Sequence, residues 1–196
     1  MSTFLTIGLR GFTARNSIEG GQPNTLPYAK NPLTSGIKAG HPLILTSAGT
    51  GGWDVSRATL SGLYVNSSRL LGFAANPEHG TINAAYGGIG IPIPPVRGMN
   101  DIATMGQEQV EVYVTDTQTI FQACLRSGIL ADPGLVGQRA ALYLEDPSQE
   151  IYSLDTGAPQ YENVVITAIN PSDVGKNSGR VDFKVVATVA QYPDPN

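Results

Sequence analysis

The sequence predicts an all-β protein, and three observations point to this class. Short runs rich in β-branched and aromatic residues alternate with turn signals over the last ninety residues. Glycine (23 residues) and proline (14 residues) are frequent, and charged side chains make up only 14% of the chain. Loops and extended segments are therefore expected to outnumber surface helices. We predict a compact β-barrel or sandwich module with an extended N-terminal arm and a long loop rich in proline and glycine.

The predicted arm spans residues 1–35, and the β-rich domain spans residues 36–196. Apolar residues before Gly20 alternate roughly as in a single strand, and the prolines that follow favour extended backbone. A lone strand is not stable in water, so this segment needs a partner. Two partners remain open, namely a sheet edge of the same domain and another subunit.

The first half of the domain contains one clear strand and one expected hairpin. The apolar run 43–45 is bounded by glycine and proline, which predicts a buried strand. Residues 58–75 offer two apolar pieces around the turn-forming cluster 66–68, and a β-hairpin is the simplest interpretation. Residues 76–109 show little periodicity and are predicted to be a long loop, a common binding surface on small β domains.

Six further strands are predicted, and they are VEVYV at 110–114, IFQACL at 120–125, AALYL at 140–144, EIYSL at 150–154, NVVITAI at 163–169 and VDFKVVATV at 181–189. The first two are expected to form a hairpin across the polar stretch TDTQT. A helix capped by Asp116 or Thr117 is the alternative for the second run. Residues 175–179 are expected to form a hairpin loop before the last strand.

Charge and residue usage exclude several classes of function. The formal net charge is −4, from 16 acidic and 12 basic residues scattered without runs, so no nucleic-acid contact is expected. No stretch approaches the ~20 apolar residues that cross a bilayer, and no signal peptide is evident, so a soluble protein outside the secretory route is expected. Cys124 is the single cysteine and is expected to be structural. His41 and His79 lack metal-ligand spacing, and we predict no metal and no cofactor.

One motif is compatible with catalysis. The run LDTGA at 154–158 is similar to the active-site turn of retroviral-type aspartic proteases, in which two aspartates meet across a dimer and share one proton. The same three residues, Asp, Thr and Gly, are also a common turn between strands. An enzyme of this type, using Asp155, stands as a third hypothesis, and we predict no enzymatic activity.

The order of features resembles that of the capsid decoration, or cement, proteins of tailed bacteriophages. The resemblance covers most of residues 36–190 and rests on the pieces IKAGHPLILTS, SGLYVNSSRLLGFAA, VEVYVTDTQTIFQACL, LVGQRAALYLEDPSQEIYSLD and NVVITAINPSDVGKNSGRVDFKVV. It includes an Ala-Gly-x-Pro turn at 39–42, a Val-Gly pair at 136–137 and a Ser-Gly-Arg-Val turn at 178–181. These are patterns of turns and strands rather than catalytic signatures.

The resemblance implies a structural virion protein on the capsid exterior, present in the host cytoplasm during assembly. Its expected partners are the major capsid protein, whose subunits it would bridge, and further copies of itself in a dimer or trimer. A tail- or fibre-associated virion β domain is the alternative. Candidate partner contacts are Phe4, Leu9, Phe12, Tyr28 and Trp53, and for Trp53 partial burial at the core edge is the competing interpretation.

Overall fold

A computed structural model describes residues 13–17, 25–29, 36–47, 53–66, 69–75, 109–115 and 119–190. These ranges are mostly strand and form curled antiparallel sheets, so the all-β prediction is confirmed. The strands are β1 Thr13–Ser17, β2 Thr25–Ala29, β3 Pro42–Ser47, β4 Trp53–Arg57, β5 Leu60–Ser61, β6 Tyr64–Val65, β7 Gly72–Ala74, β8 Gln109–Val114, β9 Thr119–Cys124, β10 Arg139–Asp146, β11 Ile151–Asp155, β12 Glu162–Ile169 and β13 Arg180–Val185. Short 3-10 turns lie at Pro133–Leu135, Pro159–Tyr161 and Pro171–Asp173. In this part of the chain no helix is long and apolar enough to cross a membrane.

The strands form two sheets. The first has eight strands in the order β1-β9-β13-β12-β10-β6-β5, with β11 also paired to β10, and the second has the order β2-β8-β7-β3-β4. A parallel bridge joins Leu125, just after β9, to Leu154 in β11. The strands β9, β13, β12, β10 and β11 therefore curl round into a ring, and the second sheet packs on it as in a sandwich.

The main core fills the space between the sheets. Its largest fully buried members are three phenylalanines, Phe73 from the second sheet and Phe121 and Phe183 from the first, all 0% exposed. The ring centroids of Phe73 and Phe121 lie 4.7 Å apart in an edge-on arrangement. A second buried cluster, including Leu43 and Val112, lies on the opposite face of the second sheet. The second sheet thus carries apolar side chains on both faces, which explains the continuous apolar run at 43–45 in β3.

Several sequence predictions of pairing were wrong although the strands themselves were right. The runs at 110–114 and 120–125 are both strands, but β8 pairs with β2 and β7 while β9 pairs with β1 and β13. They face each other across the core, since Tyr113 of β8 packs against the cluster that contains Phe121. Buried Thr115 ends β8 by donating from its hydroxyl to the Leu70 carbonyl at 2.8 Å.

Residues 58–75 also fold differently from the predicted hairpin. The tight turn lies at Gly62–Leu63, between β5 and β6, and Gly62 has a φ of +61° that suits glycine. The second apolar piece continues into β7 of the other sheet. The last predicted strand is shorter than expected, because the chain turns after Val185 and the Val189 amide donates to the Val186 carbonyl. The loop predicted at 175–179 does connect paired strands, β12 and β13.

Two parts of the predicted arm are described, and both are strands at sheet edges. Strand β1 pairs with β9, and β2 pairs with β8. These pairings correspond to the alternative in which the N-terminal segment adds edge strands to its own domain. The rest of residues 1–35 and residues 76–108 of the predicted long loop lie outside the described ranges, and Gln109 belongs to β8.

An ion cluster joins the two sheets at the β10–β11 turn. The Glu150 carboxylate lies 2.7 Å from Lys38 Nζ and 2.7 Å from Arg57 Nη1, at the end of β4. Burial raises the pKa of Glu150, but the bond from Lys38 and the charge of Arg57 outweigh it and bring the net pKa below its usual value. Glu150 adopts the left-handed backbone conformation, with a φ of +57°. Its ion pairs with Lys38 and Arg57 hold it in this conformation.

A second ion cluster fixes the loop between β12 and β13. Asp173, 7% exposed, receives a hydrogen bond of 2.6 Å from Arg180 Nε and lies 3.2 Å from Lys176 Nζ. The bond from Arg180 is the main cause that lowers the pKa of Asp173 to about 2. Asn170 caps the 3-10 turn in the same loop by accepting from the Ser172 amide at 3.1 Å.

Asp173 should make stability depend on acid pH. Its folded pKa of about 2 lies below the ordinary value of 3.8, so its contribution is complete above about pH 4 and is lost as the pH falls through 2. The contribution should be on the order of 2 kcal/mol. Urea unfolding across this window should show a smaller decrease of the unfolding free energy for Asp173→Asn than for the wild type. Parallel curves would show that the ion cluster does not stabilise the fold.

Candidate functional site

Of the five residues predicted as partner contacts, Tyr28 and Trp53 lie in the described part of the chain. Phe4, Leu9 and Phe12 lie outside the described residues. Tyr28 is 6% exposed and belongs to the second buried cluster, because β2 pairs with β8 and places Tyr28 opposite Val110. This burial makes Tyr28 a core residue of its own chain rather than an exposed contact. Trp53 is the first residue of β4, at an edge of the second sheet.

A different group of side chains converges on the outer face of the first sheet. We call it the tyrosine–arginine cluster, and it consists of Tyr64, Arg126, Tyr143, Asp155 and Tyr161. Strand alternation places these residues there: in β10 and β11 the neighbours Leu142 and Leu154 face the core, so Tyr143 and Asp155 face outward. Tyr64 alternates in the same way with buried Val65.

The rings of the cluster are closely packed. Tyr64 stacks on Tyr161 with centroids 4.9 Å apart and an interplanar angle of 11°, and its ring lies 5.0 Å from that of Tyr143. The guanidinium carbon of Arg126 lies 4.2 Å from the Tyr143 ring centroid, which is cation–π geometry. The Tyr161 hydroxyl is 3.1 Å from the Ser61 hydroxyl. The cluster therefore ties the β5–β6 hairpin to β10 and to the turn before β12.

Asp155 is the electrostatic centre of the cluster. One carboxylate oxygen, Oδ2, accepts from Arg126 Nη1 at 2.6 Å and from the Tyr64 hydroxyl at 2.8 Å, and Oδ1 accepts from the Gly157 amide at 2.8 Å. Burial raises the pKa of Asp155, but these three hydrogen bonds and the Arg126 charge outweigh it, and the net pKa is lowered. The bond to Asp155 is the main cause that raises the pKa of Tyr64.

This environment favours the ionised form of the carboxylate, because the net pKa of Asp155 is lowered. The shared-proton chemistry of aspartic proteases requires a second carboxylate close by, so that one of the two stays protonated. Asp155 instead has an arginine at ion-pair distance and both oxygens engaged. Its geometry is that of a structural ion pair, and the LDTGA turn serves to end β11 and begin the 3-10 turn at Pro159–Tyr161.

The β5–β6 hairpin exposes apolar surface beside the cluster. Leu63, in the turn, is 36% exposed, and Leu60, in the edge strand β5, is 37% exposed. The backbone of the hairpin is fixed, because the Leu63 carbonyl accepts from the Leu144 amide at 2.7 Å. Leu60 lies opposite buried Val65 and shares its face of the sheet, whereas Leu63 is next to Tyr64 in the turn. We call Leu63 and the exposed parts of the tyrosine–arginine cluster the hairpin surface. Tyrosine and arginine next to apolar side chains are typical of protein interfaces.

The remaining reactive side chains form no further site in the described ranges. His41 is 0% exposed, its Nδ1 accepts from the Lys38 amide at 3.2 Å, and its Nε2 lies 3.7 Å from Glu150. Cys124 is partly buried on the outer face, and burial raises the pKa of its thiol. In the same part of the chain, no three His, Cys, Asp or Glu side chains form a group that could hold a metal ion. His79 lies outside the described residues.

Sequence reasoning missed the tyrosine–arginine cluster, and only one local signal pointed to it. Arg126 and Tyr64 are 62 positions apart in the chain, and Arg126 and Asp155 are 29 apart. Their meeting depends on strand order and register, which no local pattern specifies. The available signal was the Ser-Gly-Leu-Tyr stretch at 61–64, which has glycine in a two-residue turn.

Comparisons with protein-family models, with curated proteins and with solved structures give no match to this chain. The geometry of the described residues and the sequence resemblance are therefore the basis for the functional proposal.

Proposed function

We propose that this protein is a structural component of a bacteriophage particle, which binds the outer surface of the capsid and stabilises the shell by bridging major capsid protein subunits. The observation that carries the proposal is the hairpin surface, in which exposed Leu63 lies beside half-buried tyrosine and arginine side chains on a two-sheet β body. The resemblance of the strand and turn order to decoration proteins supports the same function.

The two sheets of this protein are connected in a way that fits a protein bridging the subunits of a shell. A bridging protein must transmit force between neighbouring subunits, so its own sheets must not slide past each other. The Glu150 ion cluster and the three core phenylalanines both connect the two sheets of this chain. A copy that bridges two subunits needs only modest contacts, because its first contact raises the effective concentration for its second.

Co-sedimentation tests the proposal directly. Purified protein is mixed with empty expanded capsids of the parent virus, and bound protein is measured per major capsid protein subunit. We expect saturable binding at a fixed ratio to the lattice, and a rise in the temperature at which the shells come apart. Binding to tails or fibres but not to shells would instead favour the tail-associated alternative, and binding to neither would refute a role on the particle surface.

The predicted arm contacts have their own test. With Phe4, Leu9 and Phe12 all changed to Ala, we expect capsid attachment to be lost while the β body stays folded, because attachment would depend on the apolar side chains of the arm. Co-sedimentation measures attachment, and the thermal unfolding midpoint measures the body. If the triple variant attaches like the wild type, the arm does not contribute to binding.

A further inference from the structure

We propose that the hairpin surface takes an extended, uncharged segment of the partner protein, with an apolar side chain against Leu63 and main-chain carbonyl oxygens accepting hydrogen bonds from Arg126. The identity of the partner as the major capsid protein rests on the proposed function. The chemistry of the segment follows from the surface itself.

Arg126 supplies directed donors that are not used within the cluster. Its hydrogen bonds to Asp155 and to the Tyr64 hydroxyl both come from Nη1. Among the described residues this leaves Nε and Nη2 as donors, on a side chain that is 38% exposed. The ion pair with Asp155 and the ring of Tyr143 hold the guanidinium in place, so little rotamer freedom is lost when a ligand binds.

The charges around Arg126 favour a neutral acceptor over a carboxylate. Asp155 already neutralises the guanidinium at 2.6 Å. An incoming carboxylate would meet the negative charge of Asp155 beside a guanidinium that is already neutralised, and an incoming cation would meet Arg126. Carbonyl oxygens accept the same hydrogen bonds without this repulsion.

The apolar half of the ligand is matched by the hairpin. Leu63 presents exposed apolar surface on a turn whose backbone is already bonded to β10. The stacked pair of Tyr64 and Tyr161 lies beside this turn and adds partly exposed aromatic surface. An extended segment fits this combination because its main-chain carbonyls and its side chains point in different directions.

The test uses two matched aspartate substitutions. Leu63→Asp places a charge on the hairpin surface, whereas Val174→Asp places one on the loop between β12 and β13, at a residue that is 48% exposed. We expect Leu63→Asp to weaken binding to empty shells by at least about tenfold and Val174→Asp to leave it within about twofold. Circular dichroism and the thermal midpoint establish that both variants fold like the wild type.

Two further measurements test whether the ligand is uncharged: the salt dependence of binding and the affinity of the Arg126→Lys variant. A tenfold increase in NaCl should change wild-type affinity by less than about threefold, because no net ionic contact is formed. Arg126→Lys keeps a cation beside Asp155 but lacks the planar donors, so binding should weaken at least about fivefold at both salt concentrations.

Each outcome bears on one proposal. Unchanged binding by Leu63→Asp, equal losses in the two aspartate variants, or binding that weakens steeply with salt would overturn this inference while leaving shell binding established. If the wild-type protein fails to bind shells at all, the proposed function falls, and the assignment of the segment to the major capsid protein falls with it.

Discussion

Gly72→Ala is expected to destabilise the protein by about 3 kcal/mol or more, a large part of the stability of an ordinary domain. Gly72 lies in β7, between β3 and β8, where the backbones approach closely. A Cβ atom at this position would overlap the Tyr113 carbonyl oxygen and would lie 2.8 Å from the Tyr113 carbonyl carbon. Backbone atoms in the middle of a sheet have no room to move away, so β7 and β8 would have to separate.

Urea unfolding followed by far-ultraviolet circular dichroism measures this loss, with Gly62→Ala as the matched control. An added Cβ at Gly62 has no atom within 4 Å, and only its φ of +61° opposes the change. That strain should cost about 1 kcal/mol. If the two variants lose the same stability, general loss of glycine flexibility rather than the contact with Tyr113 explains the effect.

Phe121→Ala is expected to cost about 3–5 kcal/mol, the range for removing a fully buried aromatic ring. Phe121 contacts Phe73 of the other sheet and lies 5.7 Å from the ring of Phe183. Truncation would open a cavity at the point where the sheets meet, so both the transfer free energy and the contact between sheets are lost. The measurement is the unfolding free energy by urea titration.

Phe121→Leu is the control, because it keeps most of the apolar volume and should lose clearly less stability. A double-mutant cycle with Phe73→Ala should give a coupling on the order of 1 kcal/mol if the edge-on contact between the rings matters. A loss below about 1 kcal/mol for Phe121→Ala would mean that the sheets are not held together by these rings.

The strands in the second half of this protein could be predicted from local patterns, but their partners could not, and β4 at Trp53–Arg57 was not predicted. The runs at 140–144 and 163–169 have the β-branched and aromatic composition of strands, and both are strands. The run at 120–125 is also a strand, as predicted over the helix alternative, because its alternate residues Phe121 and Ala123 face the core. Composition and alternation are properties of one segment and are therefore visible in the sequence.

Pairing depends on contacts between distant segments. The turn-like stretch between β8 and β9 suggested a hairpin, yet the chain crosses there from one sheet to the other. The tyrosine–arginine cluster could not be predicted for the same reason, since Tyr64, Arg126 and Asp155 meet only after β6, β10 and β11 are aligned. The contacts predicted instead were apolar residues near the N-terminus. Tyr28 is buried because the strand that carries it joins a sheet.

The ring of strands in the first sheet has a consequence for how the chain acquires its structure. Strand β13, at Arg180–Val185, lies between β9 and β12 and pairs with both. A ribosome makes β9 about sixty residues before β13, so the growing chain must hold β9 with one open edge until the last described strand emerges. Pairing between segments so far apart is slow. We therefore expect the first sheet to be completed only after β13 has emerged, and nascent chains to need protection from edge-to-edge association in the interval.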